Sequence, residues 1–398
     1  MTSSSFPVVR LRPNVRPQAI KRGAPWVYDN ELVTDRRTKA LQPGAIAVLQ
    51  DAERTPLSLV TVNPASRIIA RVLDLNTRAV IDQAWVNTRI EKAQTMRDRL
   101  FTAPFYRLIH AEADSMPGVI IDRFGDVAVV QPNAAWAEMH LDLITKALLH
   151  VAGVKTVMKN ASGRARVLEG LDAQSMVLAG DAPNEPVEVA MNDATYMADL
   201  LEGQKTGLFY DQRLNQRFAA SLSRGGRVLD VFSHVGGFGL AALGQGAASG
   251  LCVDSSEAAL DLAQKGAERM NVADQLETRR GDGFEVLAAL AEEGARFDVV
   301  ICDPPAFAPN KKALEAGLRA YERVARLAAG LVEEGGYLGL CSCSHAANLD
   351  KFRAASLRGI GRAGRAASLI HTGFAAPDHP QHPHLAESGY LKALFFRL

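Results

Sequence analysis

A chain of 398 residues is long enough for two or three domains, each with its own core. With 47% hydrophobic and 22% charged residues, and no apolar run near the roughly 20 residues of a membrane-spanning helix, the composition excludes spanning, fibrous and disordered classes. The formal net charge of +1 conceals an asymmetry: residues 1–110 carry 17 Lys and Arg against 9 Asp and Glu, the remainder 28 against 35, which suits an anionic partner held mainly by the front or a basic face that meets only solvent.

The first residues, Met1-Thr2-Ser3-Ser4-Ser5-Phe6-Pro7, place no charged start before an apolar stretch, so no secretory signal is expected. Residues 1 to about 75 read as short strands broken by turns. Gln42-Pro43-Gly44 precedes the apolar run Ala45-Ile46-Ala47-Val48-Leu49, and Pro56 and Asn63-Pro64 punctuate the next stretch, a pattern that predicts a small β-barrel. From about 80 to 102 the spacing turns helical, through Ile81, Trp85, Val86, Ile90 and Ala93. Strands are expected at 118–122 and 127–131 around a turn at Gly125, then a helix over 136–151 and an extended segment at 156–159. The basic stretch Lys159–Arg166 suits either a phosphate contact or a plain turn. Asp181-Ala182-Pro183-Asn184-Glu185-Pro186 is the clearest linker, and the chain divides into domains 1–75, 76–183 and 184–398. Beyond residue 187 strand and helix alternate, as in a parallel sheet. Strands fall at 227–232, 251–254, 297–302 and 337–341, with a helix from Ser256 to about Met270.

The chemistry sits at the ends of these strands. Asp230-Val231-Phe232-Ser233-His234-Val235-Gly236-Gly237-Phe238-Gly239 stands at a strand's C-terminal end, where open α/β sheets bind ligands. Here the glycines Gly236 and Gly237 let the backbone approach a ligand, with Phe232 and Ser233 in the same turn as further contacts, but the glycine spacing is not G-x-G-x-x-G, which argues against a nicotinamide dehydrogenase. Asp254, followed by Ser255, closes the next strand, placed for the two hydroxyls of a ribose. Gly281-Asp282-Gly283 sets another acid where an adenine amine can donate to it. Acid, glycine turn, acid and acid at successive strand ends point to an adenosyl ligand. In Asp303-Pro304-Pro305-Ala306-Phe307 the prolines make a rigid turn without backbone donors; Phe307 is suited to stacking on a base or to packing in the core.

Four cysteines occur, at 252, 302, 341 and 343, and the pair in Cys341-Ser342-Cys343 is badly placed for a disulfide, so a reduced, intracellular chain is expected. Cys252 and Cys302 lie in apolar strands and read as core. His379, His382 and His384 cluster without regular ligand spacing, so a structural or substrate-side loop is expected and no metal.

The whole chain resembles the bacterial large-subunit ribosomal RNA cytosine methyltransferases of the RlmI type. The likeness is carried by Lys21-Arg22-Gly23-Ala24-Pro25-Trp26-Val27-Tyr28, by His110–Gly118, by Gly203–Arg213, by Asp303–Phe307 and by Ser342-Cys343-Ser344-His345. It implies an α/β protein: an N-terminal PUA-like β-barrel, a mixed α+β central domain, and a C-terminal class I (Rossmann-like) methyltransferase domain with a mostly parallel sheet. It implies S-adenosyl-L-methionine as cofactor and adds Gln204, Thr206, Arg213 and Asp303 to the contacts already read at Asp230, Phe232, Ser233, Gly236, Gly237, Asp254, Ser255, Asp282 and Gly283. It implies large-subunit ribosomal RNA as partner, met by Lys21, Arg22, Pro304, Pro305 and Phe307, in the cytoplasm and away from membranes, and leaves a homodimer open. The implied chemistry is methylation of carbon 5 of a cytosine, with Cys343 adding to carbon 6 and Asp303 stabilising the adduct, while Cys341, where the family often has an apolar residue, is implied to be packing. The base that removes the carbon-5 proton stays unassigned, His345 being near in sequence only. Two alternatives remain: methylation of a ring or exocyclic nitrogen, which needs no cysteine, and a non-catalytic RNA-binding assembly factor.

Overall fold

The computed structural model describes residues 6–201 and 207–398. These divide into two compact units, one holding the residues up to Asn184 together with Asp378–Ala386, the other holding the rest. No helix among them is long and apolar enough to cross a membrane.

The first unit opens with β1 (Val8–Arg10), β2 (Trp26–Val27), β3 (Ala45–Gln50), β4 (Pro56–Val62) and β5 (Ala70–Asp74), in the order β1-β3-β4-β5-β2. Only β1 runs parallel to its neighbour, β3, within this sheet. Alternate residues Ala47 and Leu49 of β3 go into the core, as do Val60 and Val62 of β4 beyond a register shift at Leu59–Val60, with Leu11, Val27, Leu32 and Leu57. A second sheet is built from β6 (Phe105–His110), β7 (Val119–Phe124), β8 (Val127–Pro132), β9 (Thr156–Lys159) and β10 (Met176–Ala179), in the order β10-β9-β8-β7-β6. Its helix Gln83–Leu100 starts where Asp82 accepts the Trp85 N–H at 2.9 Å and buries Trp85, Val86, Ile90 and Ala93. The helix expected over 136–151 is instead two, Ala135–Met139 and Leu141–His150, broken at His140, whose φ of −114° and ψ of 21° leave the helical region.

One buried cation ties this unit together. Arg97, 0% exposed, forks onto both oxygens of Asp114 at 2.6 and 2.7 Å and also donates to the carbonyls of Arg107 and Asp378, each at 2.9 Å. Arg97→Leu strands the carboxylate and two carbonyls, so a loss of about 3 kcal/mol is expected. Chemical denaturation followed by tryptophan fluorescence checks this, all three tryptophans (Trp26, Trp85 and Trp136) lying in this unit.

The second unit begins with a hairpin of β11 (Val187–Met191) and β12 (Ala194–Ala198). Its sheet holds β13 (Arg227–Val231), β14 (Ser249–Asp254), β15 (Leu276–Arg280), β16 (Phe297–Cys302), β17 (Val332–Ser342), β18 (Ser368–Phe374) and β19 (Lys392–Arg397). The order is β15-β14-β13-β16-β17-β19-β18, parallel from β15 to β17, with β19 antiparallel between β17 and β18. The chain winds outward from β13 to β15 and then returns to lay β16 on the other side of β13. That reversal opens a crevice at the C-terminal ends of β13 and β16, the place where such sheets bind ligands. Both strands are almost continuously buried, as strands covered on both faces must be.

Candidate active site

After Val231 the chain turns through three left-handed residues, Phe232 (φ 65°), His234 (φ 51°) and Gly236 (φ 79°). For the two with side chains this conformation costs about 1–2 kcal/mol each. The turn is held by hydrogen bonds: the Ser233 N–H donates to the Val253 carbonyl at 3.0 Å, and the His234 N–H to Asp254 Oδ2 at 2.9 Å. The other oxygen of Asp254 accepts the Ser256 N–H at 2.9 Å, so the half-buried carboxylate is fixed at the tip of β14, next to the exposed Ser255. Phe232 lays its ring over Gly283, where any side chain would begin 2.5 Å from the ring; that position must be glycine. Asp282 is exposed and uses Oδ1 to cap the helix Gly283–Glu292, accepting the Phe284 and Glu285 N–H groups at 2.9 and 3.2 Å.

Asp230 is fully buried. Its Oδ2 accepts the N–H groups of Phe238 and Gly239 at 3.0 and 2.9 Å, at the start of the helix Gly237–Gly244, while its Oδ1 has no hydrogen-bond partner among the described residues. Burial pushes this carboxyl up to about 7, against the pull of the two N–H donors and with a further push from Asp254. A buried carboxyl oxygen without a partner beside a second, oriented carboxylate suits a ligand that brings cationic and hydroxyl groups. S-Adenosylmethionine brings both, and the residues present fit it. Arg213 is buried with its guanidinium against the Met191 sulfur at 3.0 Å and 5.4 Å from the Tyr210 ring centre. Gln204 and Thr206 lie outside the described residues.

Across the crevice, Asp303 follows β16 directly, and its Oδ2 accepts the Gln212 amide N–H at 2.8 Å. Gln212 is itself oriented, because its Oε1 accepts from Asn215 at 2.6 Å; both amides are almost fully buried. Pro304 is buried and Pro305 exposed, whereas the Phe307 ring packs 5.0 Å from Tyr321 and 5.8 Å from Phe284. Those contacts are what the core alternative for Phe307 requires: the ring anchors the loop.

Cys343 follows β17, the next strand. Of the four cysteines, Cys252, Cys302 and Cys341 are buried and Cys343 is half-buried. Burial pushes each of the three buried thiols up, furthest from the reactive thiolate. The flanking hydroxyls pin the segment: Ser342 Oγ donates to the Tyr321 hydroxyl at 2.9 Å, and Ser344 Oγ lies 2.7 Å from the same hydroxyl. Ser344 Oγ also accepts the Ala308 N–H at 2.9 Å, which joins the Cys343 segment to the Asp303 loop. Lys392, in β19, donates to the Ser344 carbonyl at 2.8 Å. His345 stands with its ring 5.8 Å from Tyr390, and burial, with Lys392 nearby, lowers its pKa.

In the other unit Lys21 and Arg22 are exposed at the end of the short helix Gln18–Lys21. Trp26 donates to Glu112 at 2.7 Å, and His384 Nε2 lies 2.9 Å from the Arg22 carbonyl. The histidine loop is thus a structural part of the first unit. Gln212, Asn215, Tyr321 and Lys392 are not singled out by the sequence. Gln212 lies within a motif, but Tyr321 and Lys392 reach Ser344 from 23 and 48 residues away, with no local signal.

The S-adenosylmethionine-dependent methyltransferase family model matches residues 141–397, and a PUA-like domain model matches residues 9–75. The chain is 34% identical over 388 residues to the ribosomal RNA large subunit methyltransferase I of Aeromonas hydrophila, covering 96% of this chain and 97% of that protein. It is 33% identical over 409 residues to the ribosomal RNA large subunit methyltransferase of Deinococcus radiodurans, covering 100% and 99%. Among solved structures, a putative SAM-dependent methyltransferase from Streptococcus mutans superposes with a TM-score of 0.81 at 17% identity, covering 99% of this chain and all of that one. A putative methyltransferase complexed with SAH superposes with a TM-score of 0.82 at 19% identity and covers 99% of this chain and 100% of that one. The superpositions show the fold, and identity above 30% along nearly the whole length shows more: the chain belongs to the ribosomal RNA large subunit methyltransferase I family of S-adenosylmethionine-dependent enzymes.

Proposed function

We propose that this enzyme methylates carbon 5 of a cytosine in large-subunit ribosomal RNA through a transient bond between Cys343 and carbon 6. The observation that supports this most is the state of Cys343: the least buried thiol, pinned on both sides through Ser342 and Ser344 and tied to the Asp303 loop. A methyltransferase acting on a nitrogen has no use for such a group.

Bound S-adenosylmethionine supplies an electrophilic methyl group. Asp254 binds the ribose hydroxyls and Asp230 a cationic end, while Ser255, Asp282 and Gly283 edge the adenine and Phe232, Ser233, Gly236, Gly237 and Arg213 shape the remaining wall. Carbon 5 of cytosine is a poor nucleophile, so the Cys343 thiolate adds to carbon 6 and leaves an electron pair at carbon 5 that takes the methyl group. Asp303 binds the ring at nitrogen 3 or the amine and stabilises the adduct. Removal of the carbon-5 proton then returns the electrons to the ring and expels Cys343. The cytosine must be unpaired or flipped out, since carbon 6 is unreachable in a stacked helix. Pro304 and Pro305 offer it a rigid wall without competing donors, on a loop that Phe307 anchors. Lys21 and Arg22 supply phosphate contacts from the basic front, which position the RNA without reading its bases.

Nucleoside mass spectrometry on large-subunit RNA incubated with the enzyme and isotope-labelled S-adenosylmethionine is expected to show labelled 5-methylcytosine. Label in a methylated guanosine or adenosine, or on a cytosine nitrogen, overturns the reading. The cofactor site has its own test. Above its value of about 7 Asp230 is ionised and attracts a cation, so S-adenosylmethionine affinity should rise with pH through that value. Asp230→Asn should weaken binding about tenfold and flatten the pH dependence, as read by titration calorimetry.

A further inference from the structure

Lys392 is the first residue of β19 and stands opposite Ser342 of β17 and Phe374 of β18 in the two antiparallel pairings. Strands on both sides account for its burial: the residue is 5% exposed. Its Nζ donates to the carbonyl of Ser344, the residue after Cys343, at 2.8 Å. One carbonyl is a weak partner for an ammonium removed from water, because burying a cation is costly unless an anion compensates it. The cost is visible, since burial brings this amine down to about 8, and the group that acts in the opposite direction is Cys343. The ammonium is thus fixed on the backbone next to Cys343, opposite Ser342 and bonded to the Ser344 carbonyl, at the point where a cysteine nucleophile needs a cation to lower its pKa.

We propose that Lys392 is a positioning residue that holds Cys343 as a thiolate, the two forming an ammonium–thiolate pair at the C-terminal end of β17. The inference rests on Cys343 being the nucleophile. Among the described residues, the other ionisable groups that act on the pair do not supply the charge. Tyr321, from the helix Leu314–Ala329, is kept protonated by burial and contributes hydroxyl contacts to Ser342 and Ser344. Burial and Lys392 itself lower the pKa of His345 and so disfavour its cationic form, with Glu387 before β19 acting against this. Asp303, on the neighbouring strand end, carries the opposite sign and opposes a thiolate. The proton leaving Cys343 Sγ goes to solvent, and Lys392 keeps its own. When the sulfur bonds to carbon 6 its charge is consumed and the ammonium loses its partner, so the same cation also favours expulsion of the thiolate at the end of the cycle.

The test is alkylation of Cys343 by iodoacetamide in the full-length protein between about pH 5 and pH 10, read by peptide mass spectrometry with fragment ions that separate it from Cys341. Wild-type Cys343 should react with a midpoint clearly below the ~8.5 of a free thiol. Lys392→Met should raise the midpoint by about one unit or more, and Lys392→Arg should keep it near the wild-type value. A wild-type midpoint at or above ~8.5 overturns the proposal without any variant. So does a midpoint that is the same in Lys392→Met and wild type, with melting temperature and S-adenosylmethionine binding showing that the variant is folded. Alkylation reads the thiolate whichever atom of the RNA is methylated. Labelled 5-methylcytosine with an unmoved midpoint therefore rejects Lys392 alone, whereas a depressed, lysine-dependent midpoint with methylation at nitrogen rejects the carbon-5 reaction and keeps the pair.

Discussion

Replacing Cys343 by Ala is expected to lower formation of 5-methylcytosine by at least about four orders of magnitude, because the variant loses the only step that makes carbon 5 nucleophilic. S-Adenosylmethionine binding should stay within about twofold, since none of the proposed cofactor contacts is at the end of β17. Cys341→Ala should retain activity within about an order of magnitude; its thiol is buried and pushed up by that burial, so its loss is a packing change. RNA carrying 5-fluorocytosine sharpens the comparison. Fluorine cannot leave carbon 5 as a proton does, so the wild type should form a stable protein–RNA adduct and Cys343→Ala should form none. An adduct in Cys343→Ala, or full activity of that variant, would reject the covalent route.

Asp303→Asn should lower the rate of methyl transfer about 10²–10³-fold, the range found when one preorganised polar group is removed from the transition state. The substitution keeps volume and lets the new amide oxygen accept from Gln212, so the loop should hold its place on the Gln212–Asn215 amide chain. What disappears is the negative charge. The loss should therefore fall on kcat more than on KM for RNA, and single-turnover kinetics separate the two. A change confined to KM would make Asp303 a binding group only.

The fold is largely readable in the sequence because its core strands are apolar runs at regular intervals. Phe297–Cys302 and Thr156–Lys159 are delimited to the residue, and Ser256 and Met270 bracket the helix Glu257–Arg269 as N-cap and C-cap. Failures come where the pattern is weak. β18 is mostly exposed, so no alternation announces it, and the helical stretch over 136–151 hides a break at His140 that no proline or glycine marks. The segment Asp378–Ala386 counts with the first unit although 184–398 reads as one domain, because Asp378 accepts from Arg107 and bonds Arg97 through its carbonyl, contacts 271 and 281 residues apart in the chain.

Residue types at strand ends are a local property, and the order of the chain alone was enough to set acids at Asp230, Asp254, Asp282 and Asp303 and glycines at the turn between them. Whether a thiol is reactive is not local. Cys341 and Cys343 are two residues apart on the same strand end, with serine between them, and nothing in that triplet says which sulfur is sealed in the core. The tertiary structure decides it: burial closes over Cys341, while Tyr321 and Lys392, from distant parts of the chain, converge on the serines beside Cys343. Desolvation and neighbouring charge set a pKa, and both depend on what the folded chain brings within a few ångströms.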